Sequence, residues 1–391
     1  MATLRVRVYG VRFGDAILVT VPDRHGRQDT ERHLLIDVGN APSGVPGGGG
    51  ADTVFRPVVE NILEVLDGKP LDLYVMTHTH MDHVQGLLHA AQKSGLDVRA
   101  SYAWLTASAA EDYYDTHPEA KKKKLQAERV CRLAEHFSLT APEHGGAAIA
   151  MMAANNSPQS TDCCVDHLRR LAPAEHTTYV YRGCSLAGTH PFQEVEFAIW
   201  APEENTAEYY GRFHPMALGA ADGASASAAA EAPSVPPAGV DAGAFYDLVE
   251  ARRRGCLDNL LMIDQAANNT SVVFTLAWRG WKLLFAGDAE RRSWLTMERE
   301  HVLQPVHFLK VSHHGSSTGT PSPELLDKIL PSAPPDRRHR SAVVSTYPDA
   351  YSGVPDVDLI STEVGGRCDS LCWVSKGEVA DGEYRDITFE A

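Results

Sequence analysis

Between Leu71 and Gly86 an apolar run, Leu71-Asp72-Leu73-Tyr74-Val75-Met76, passes directly into Thr77-His78-Thr79-His80-Met81-Asp82-His83-Val84-Gln85-Gly86. Three imidazoles and a carboxylate thus fall within six positions, at what reads as the C-terminal end of a strand, before Leu87 and Leu88 continue a helix. Neutral histidine and ionised aspartate are ligands for zinc and neighbouring divalent metals. His78 and His80, two apart on an extended turn, can point to one position, and Asp82 and His83 to a second a few ångströms away. One turn can in this way feed two cations that share a hydroxide. The alternative is a polar loop with surface histidines, in a chain that holds 18 of them.

Other segments end in chemistry-bearing residues in the same manner. Leu34-Leu35-Ile36 leads to Asp37, Val38 and Gly39, so Asp37 reads either as a carboxylate that orients a metal-bound histidine or as a turn aspartate bonded to its own backbone. Trp281 to Ala286 leads to Gly287-Asp288. A carboxylate there has two oxygens and can bridge two metals, although taken alone it also suits the N-cap of a helix from Ala289 to Met297. Val306 to Ser312 leads to His313-His314-Gly315-Ser316-Ser317, which offers a ligand, a proton donor and anion-binding hydroxyls and amides. In such a turn His313 could donate a proton, and Lys310 or Ser316 could hold an anionic oxygen.

The elements that must position these groups are legible as alternation and periodicity. Leu4 to Tyr9, Ala16 to Val21, Leu34 to Asp37, Val98 to Trp104, Tyr179 to Arg182, Val195 to Trp200, Asn268 to Leu276, Trp281 to Ala286, Val306 to Ser312 and Ala342 to Ser345 read as strands. A helix capped by Asp52 or Thr53 buries Val58, Ile62, Leu63 and Leu66. Residues 106–176 read as a mainly helical insertion, 213–243 as an Ala/Pro-rich flexible one, Phe245 to Arg254 as a short helix, Glu324 to Leu330 and Asp356 to Glu363 as further helices. Strands followed by helices occur once in each half. The expected class is α/β, more narrowly α+β: two mixed sheets face to face with helices outside, as one domain over 1–391.

Composition narrows the function. With 391 residues the chain can bury a large core, and no apolar run is long enough to span a membrane, so a cytoplasmic protein without membrane partners is expected. Seven cysteines form an odd set without a Cys-x-x-Cys pair, which points to reduced thiols; Cys368 and Cys372 could make a small accessory site. A net charge of −15 opposes unaided nonspecific DNA binding, since such affinity comes largely from Lys and Arg. The local basic stretches are Lys121 to Lys124, Arg252 to Arg254 and Arg337-Arg338-His339-Arg340.

The His-x-His-x-Asp-His motif resembles that of the metallo-β-lactamase superfamily. With Gly14-Asp15-Ala16, Leu35-Ile36-Asp37-Val38-Gly39, Asn269-Thr270-Ser271, Leu284-Phe285-Ala286-Gly287-Asp288 and Leu309-Lys310-Val311-Ser312-His313-His314-Gly315-Ser316, the ordered set is similar to the domain found at the C-terminus of the DNA-uptake protein ComEC and in its stand-alone relatives. That resemblance implies an αββα sandwich with the metals at the sheet edge. It implies two divalent cations, zinc or manganese: His78 and His80 on one, Asp82 and His83 on the other, Asp288 between them and His314 completing the second. The superfamily's usual middle histidine has no evident counterpart, with His190 or His176 as substitutes through a loop; Asn269 stands where the ComEC-like group carries asparagine and would support the ligands from behind, and Val354 stands where that group tends to carry histidine. The implied activity is phosphodiester hydrolysis, on nucleic acid or a small phosphodiester, with a partner protein able to deliver substrate or gate turnover. Lactone, β-lactam or thioester hydrolysis on the same metals, or a metal-poor scaffold, are the alternatives.

Overall fold

The computed structural model describes residues 2–42, 47–140, 158–211, 258–348, 350–351 and 353–391, with side chains left aside at 132–140 and 158–160. The expected flexible insertion at 213–243 and the short helix at 245–254 lie outside the described residues, as does 141–157 of the expected helical insertion.

The described strands in chain order are β1 (Thr3–Tyr9), β2 (Ala16–His25), β3 (Gln28–Val38), β4 (Leu73–Met76), β5 (Ala103–Thr106), β6 (Thr177–Val180), β7 (Val195–Ala201), β8 (Val273–Trp278), β9 (Trp281–Phe285), β10 (Phe308–Lys310), β11 (Ser341–Ser345), β12 (Ser370–Val374) and β13 (Tyr384–Glu390). They form a seven-stranded sheet, β13-β1-β2-β3-β4-β5-β6, and a six-stranded sheet, β12-β11-β10-β9-β8-β7. Both are mixed. In the first, β3, β4, β5 and β6 run parallel and the rest antiparallel; in the second, β9, β10, β11 and β12 run parallel.

Strand side chains alternate faces, and here both faces are apolar, as expected for strands covered on each side. Val6, Val8, Ile17, Val19, Leu34, Ile36, Leu73 and Val75 of the first sheet pack with Phe274, Leu276, Leu283, Phe285, Phe308 and Val343 of the second in one core between the sheets. The intervening positions of the first sheet, Leu18, Leu35, Tyr74 and Met76, meet helices α1 (Ala51–Leu66), α2 (Met81–His89) and Cys164, Val165 and Leu168. Those of the second, Leu284, Leu309, Ala342 and Val344, meet Trp294, Met297, Leu326 and Ile329. The order of layers is therefore helix, sheet, sheet, helix.

Several boundaries differ from the sequence reading. Only Ala103 and Trp104 of the expected strand at 98–104 fall in β5, which runs on to Thr106, because Ala100 gives its N–H to Leu171 and meets the sheet through a single bridge to Leu71. The cap of α1 is Gly50, left-handed at φ 63°, rather than Asp52 or Thr53. The helix after Asp288 spans Arg291–Arg299 with Glu290 at its N-cap, which frees Asp288 from a capping role. Asn268 and Asn269 end a helix at 258–268 instead of starting a strand, so β8 begins at Val273. That helix escaped notice although Leu260, Ile263 and Ala266 recur at buried positions along it.

Parallel pairing decides where chemistry gathers. β3, β4, β9, β10 and β11 all point their C-terminal ends to one edge of the sandwich, and Asp37, the His78–His83 turn, Asp288, His313–His314 and Ser345 leave or end those strands. Ligands of such sheets bind outside the carboxyl ends of the strands. Two glycines allow the convergence. A Cβ on Gly39 would lie 2.4 Å from the Asp82 carbonyl carbon, and one on Gly14 would lie 2.3 Å from the Gly39 carbonyl oxygen.

Candidate metal centre

Asp82 and His83 occupy the first turn of α2, where the turn after β4 has just reversed the chain. Asp288 follows the end of β9, held by a hydrogen bond from its N–H to Ser271 Oγ at 3.0 Å. His314 sits in the turn after β10, where His313, His314 and Gly315 take successive left-handed conformations at φ 46°, 52° and 82°. Such backbone costs roughly 1–2 kcal/mol for each non-glycine residue, and it persists where the surroundings hold it. The result is that donor atoms of Asp82, His83, Asp288 and His314 all lie within 4.8 Å of one another.

The spacing is that of ligands around a cation. His83 Nε2 and His314 Nε2 each lie 3.2 Å from Asp288 Oδ2, and His314 Nε2 is 3.5 Å from Asp82 Oδ2. Donors about 2.1 Å from one ion, at angles near tetrahedral, stand roughly 3.4 Å apart. The other ring nitrogens are occupied. His83 Nδ1 is 2.8 Å from Asp37 Oδ2, His314 Nδ1 donates to the Ser345 carbonyl at 3.0 Å, and His78 Nδ1 is 3.1 Å from Thr77 Oγ1. Each contact fixes its ring and leaves Nε2 as the coordinating atom. The Nε2 atoms of His78, His83 and His314, and the Oδ1 atoms of Asp82 and Asp288, are buried and make no hydrogen bond. Orphaned polar atoms of this kind are rare in folded interiors unless something else satisfies them. The group can hold a metal ion.

Charge supports the same conclusion. Burial alone would depress His83, but the Asp288 and Asp82 carboxylates outweigh it and hold the ring well above its ordinary range. His314 is raised to about 9, burial again opposing and Asp288 prevailing. Asp288 is held well below the usual carboxylate range against the effect of burial, first by His314 and then by His83. Raised histidines thus face lowered carboxylates across the buried group, and binding a cation there would require the rings to give up their protons. His78 differs: burial, then His83 and His80, push it well below its ordinary value, so it is a neutral donor.

No family model and no curated protein matches this chain. Among the described residues no helix is long and apolar enough to cross a membrane.

The remaining expected site residues fall in different places. Asp37, fully buried, accepts from Thr77 N at 2.8 Å and Thr77 Oγ1 at 2.5 Å as well as from His83, so it ties the end of β3 to the motif turn. Asp37→Asn should weaken metal binding by about 10- to 100-fold, read from metal titration of the purified variant, because His83 loses the acceptor that orients it. His80 Nε2 lies 3.7 Å from Asp264 Oδ1, and His80 is not part of the close group formed by Asp82, His83, Asp288 and His314. Lys310 is not at the mouth of the site. Its ammonium is buried, 1% exposed, against Asp15 Oδ2 at 2.8 Å and the Val311 carbonyl at 3.1 Å, so its charge is spent on an internal pair. Ser316 Oγ is engaged with His313 Nδ1 at 2.8 Å and the Gly319 N–H at 3.0 Å, and so positions His313. Asn269 accepts from Ser293 N at 3.0 Å and Ser293 Oγ at 2.7 Å, joining the helix at 258–268 to the one at Arg291–Arg299 instead of reaching the histidines. Neither substitute for the middle histidine arrives: His190 packs on Trp104 and Phe197, and His176 stacks on Tyr102.

Residues to which the sequence reading assigned no role also converge here. Asp15 accepts from Lys310 and Ser345. Phe13 packs on His314 at 4.3 Å and on Tyr351 at 4.7 Å. The Tyr351 hydroxyl is pushed up by burial and then by the charges of Asp82, Asp264 and Asp288, so it stays protonated beside them. Asp264, Glu290 and His313 form a second group of donors within 4.8 Å. Glu290 carried no signal beyond its place two residues after Asp288, and Asp264 lies on the unrecognised helix.

Proposed function

We propose that this protein is a metal-dependent phosphodiesterase of the metallo-β-lactamase type its motifs resemble. The observation that carries the reading is the buried convergence of Asp82, His83, Asp288 and His314 with five donor atoms lacking hydrogen bonds, three of them on His78, His83 and His314. When bound, a cation in this centre supplies Lewis acidity towards a phosphoryl oxygen and lowers the pKa of water towards about 7. The chain does the rest. Asp82, His83, Asp288 and His314 bind and centre the ion, while Asp37 and the Ser345 carbonyl keep two of the rings from rotating. Asp82 Oδ1, buried and without a partner, can accept a proton from an attacking water. Tyr351, kept as a hydroxyl, can donate to a phosphoryl oxygen and exclude bulk water together with Phe13.

The phosphate preference rests on the resemblance carried by the His313-His314-Gly315-Ser316 motif more than on the ligands, which would serve carbonyl substrates equally. A small phosphodiester is favoured over duplex DNA. A cavity of about 120 Å³ opens beside His80, lined by Thr79, Tyr114, Tyr210, Lys124 and Arg169. Of the lysine run, Lys121 is paired with Asp115 at 2.7 Å and Lys123 donates to the Gly211 carbonyl at 2.7 Å. The chain charge of −15 works against a polyanion as well.

Turnover of bis-p-nitrophenyl phosphate and of plasmid DNA, each at two salt concentrations and with zinc or manganese, tests both levels. EDTA-sensitive hydrolysis of the small ester, little affected by salt, is the expected result. Cleavage of plasmid alone, falling steeply with salt, would favour the nuclease reading. Hydrolysis of lactones or thioesters with neither phosphate cleaved would end the phosphodiesterase reading.

A further inference from the structure

The geometry points to a second divalent-cation site, formed by Asp264, Glu290 and His313 with His80 at its inner edge. Three separate parts of the chain build it: the helix at 258–268, the residue that caps the next helix, and the turn after β10. A carboxylate oxygen from each acid and a ring nitrogen of His313 lie within 4.8 Å of one another. His313 Nδ1 is 3.5 Å from Glu290 Oε1, and His80 Nε2 is 3.7 Å from Asp264 Oδ1. Charge-assisted hydrogen bonds are about 2.7–2.9 Å long, whereas donors sharing one ion stand roughly 3.0–3.5 Å apart. The observed spacings sit at or just beyond the second range.

A buried amide lies against the same group. Asn268, 1% exposed, gives its Nδ2 to Glu290 Oε1 at 2.7 Å and holds it 3.3 Å from His313 Nε2. The other end of this amide, Oδ1, is buried without a hydrogen-bond partner. The buried amide braces two candidate ligands and leaves an acceptor bare beside them, an orphan that folded interiors rarely keep.

The donor set assigns the metal class. Two carboxylates with one or two imidazoles are richer in oxygen than the His83–His314 centre and suit manganese or magnesium better than zinc. The Asp264 and His313 side chains are 22% and 19% exposed, against 0% for His314, so this cation exchanges with solvent more readily. Asp264 and Glu290 were absent from the expected ligand set. His313 becomes a ligand in place of the proton donor expected from sequence. The site stands on its own geometry; only a catalytic part for it would depend on the phosphodiesterase reading.

Manganese titration of the chelated, dialysed full chain, followed by the loss of the free-ion EPR signal, tests it. Wild type is expected to take up two equivalents. Glu290→Gln and Asp264→Asn should each weaken one equivalent by at least about 100-fold and leave the other, while Asp82→Asn weakens the complementary one. Circular dichroism melts confirm that each variant is folded, and Glu290→Gln retains an acceptor for Asn268. Two equivalents with unchanged affinity in both Glu290→Gln and Asp264→Asn would overturn the second site and leave the buried centre standing. Binding of a single equivalent, lost in Asp82→Asn, would do the same. Affinities that no variant changes would overturn both.

Discussion

Asp288→Asn should lower turnover of bis-p-nitrophenyl phosphate by about 10³-fold or more, with the fold retained. The substitution conserves volume and removes one charge. That charge lies 3.2 Å from both His83 Nε2 and His314 Nε2, so in the proposed centre it would be the hub through which the two halves of the chain share a cation. The same variant should change the proton balance. In the metal-free protein His314 holds its proton up to about 9, so metal uptake at pH 7.5 must release it, and apparent affinity should climb as pH rises towards that value. Calorimetry in two buffers of different ionisation enthalpy measures the release, which should shrink in Asp288→Asn because the carboxylate that raises His314 is gone. Linkage adds a sign that can be checked. A raised histidine contributes stability that is complete below its unfolded value, about 6.5, and is lost as pH rises through about 9, so the metal-free protein should melt at lower temperature at pH 9 than at pH 7. Turnover in Asp288→Asn within about tenfold of wild type would refute the hub role.

Lys310→Met should cost about 3–5 kcal/mol of stability, the effect of breaking one side of a buried ion pair. Lys310 and Asp15 are 1% and 3% exposed at the side chain, and their 2.8 Å contact joins strands 295 residues apart. Burial works against ionised Asp15, yet Lys310, then His314 and His83, hold it below the ordinary range. Without the ammonium, the charge of Asp15 would be left beside Asp288, whose carboxylate opposes its ionisation. Chemical denaturation of Lys310→Met and of the double variant Asp15→Asn/Lys310→Met measures this. The double variant should regain most of the loss, because no uncompensated charge remains. Were Lys310 instead a group that holds a phosphoryl oxygen, the single variant would be nearly as stable as wild type and would turn over far more slowly per folded molecule.

The pair explains why this part of the site was misread from sequence. Lys310 stands three residues before a histidine pair at a strand end, the position of a catalytic cation, and nothing nearby in the chain reveals that Asp15 is its partner. Local pattern decides that a side chain leaves a given strand; it does not decide what crosses to meet it. The same limit applies to β12 and β13, which were not anticipated. Tyr384–Glu390 has only Ile387 and Phe389 buried and pairs at the outer edge of the first sheet with β1, and a half-exposed edge strand carries little apolar signal.

What the sequence determined by itself is the part of this protein encoded in short range: alternating apolar strands buried on both faces, and metal-ligating residues placed at the ends of the strands that carry them. Asp37, Asp82, His83, Asp288 and His314 could be named because each follows an apolar run closely enough for its position to be set by a single turn. Tertiary structure alone decided which donors come close enough to share a cation, which cationic side chain is spent on a buried pair, and that Asp264 and Glu290 stand beside His313. The physical reason is that ligation depends on distances of a few ångströms between segments hundreds of residues apart. Those distances are fixed by the parallel pairing of β3 with β4 and of β9 with β10, and by the packing of the two sheets, which brings the two carboxyl edges together.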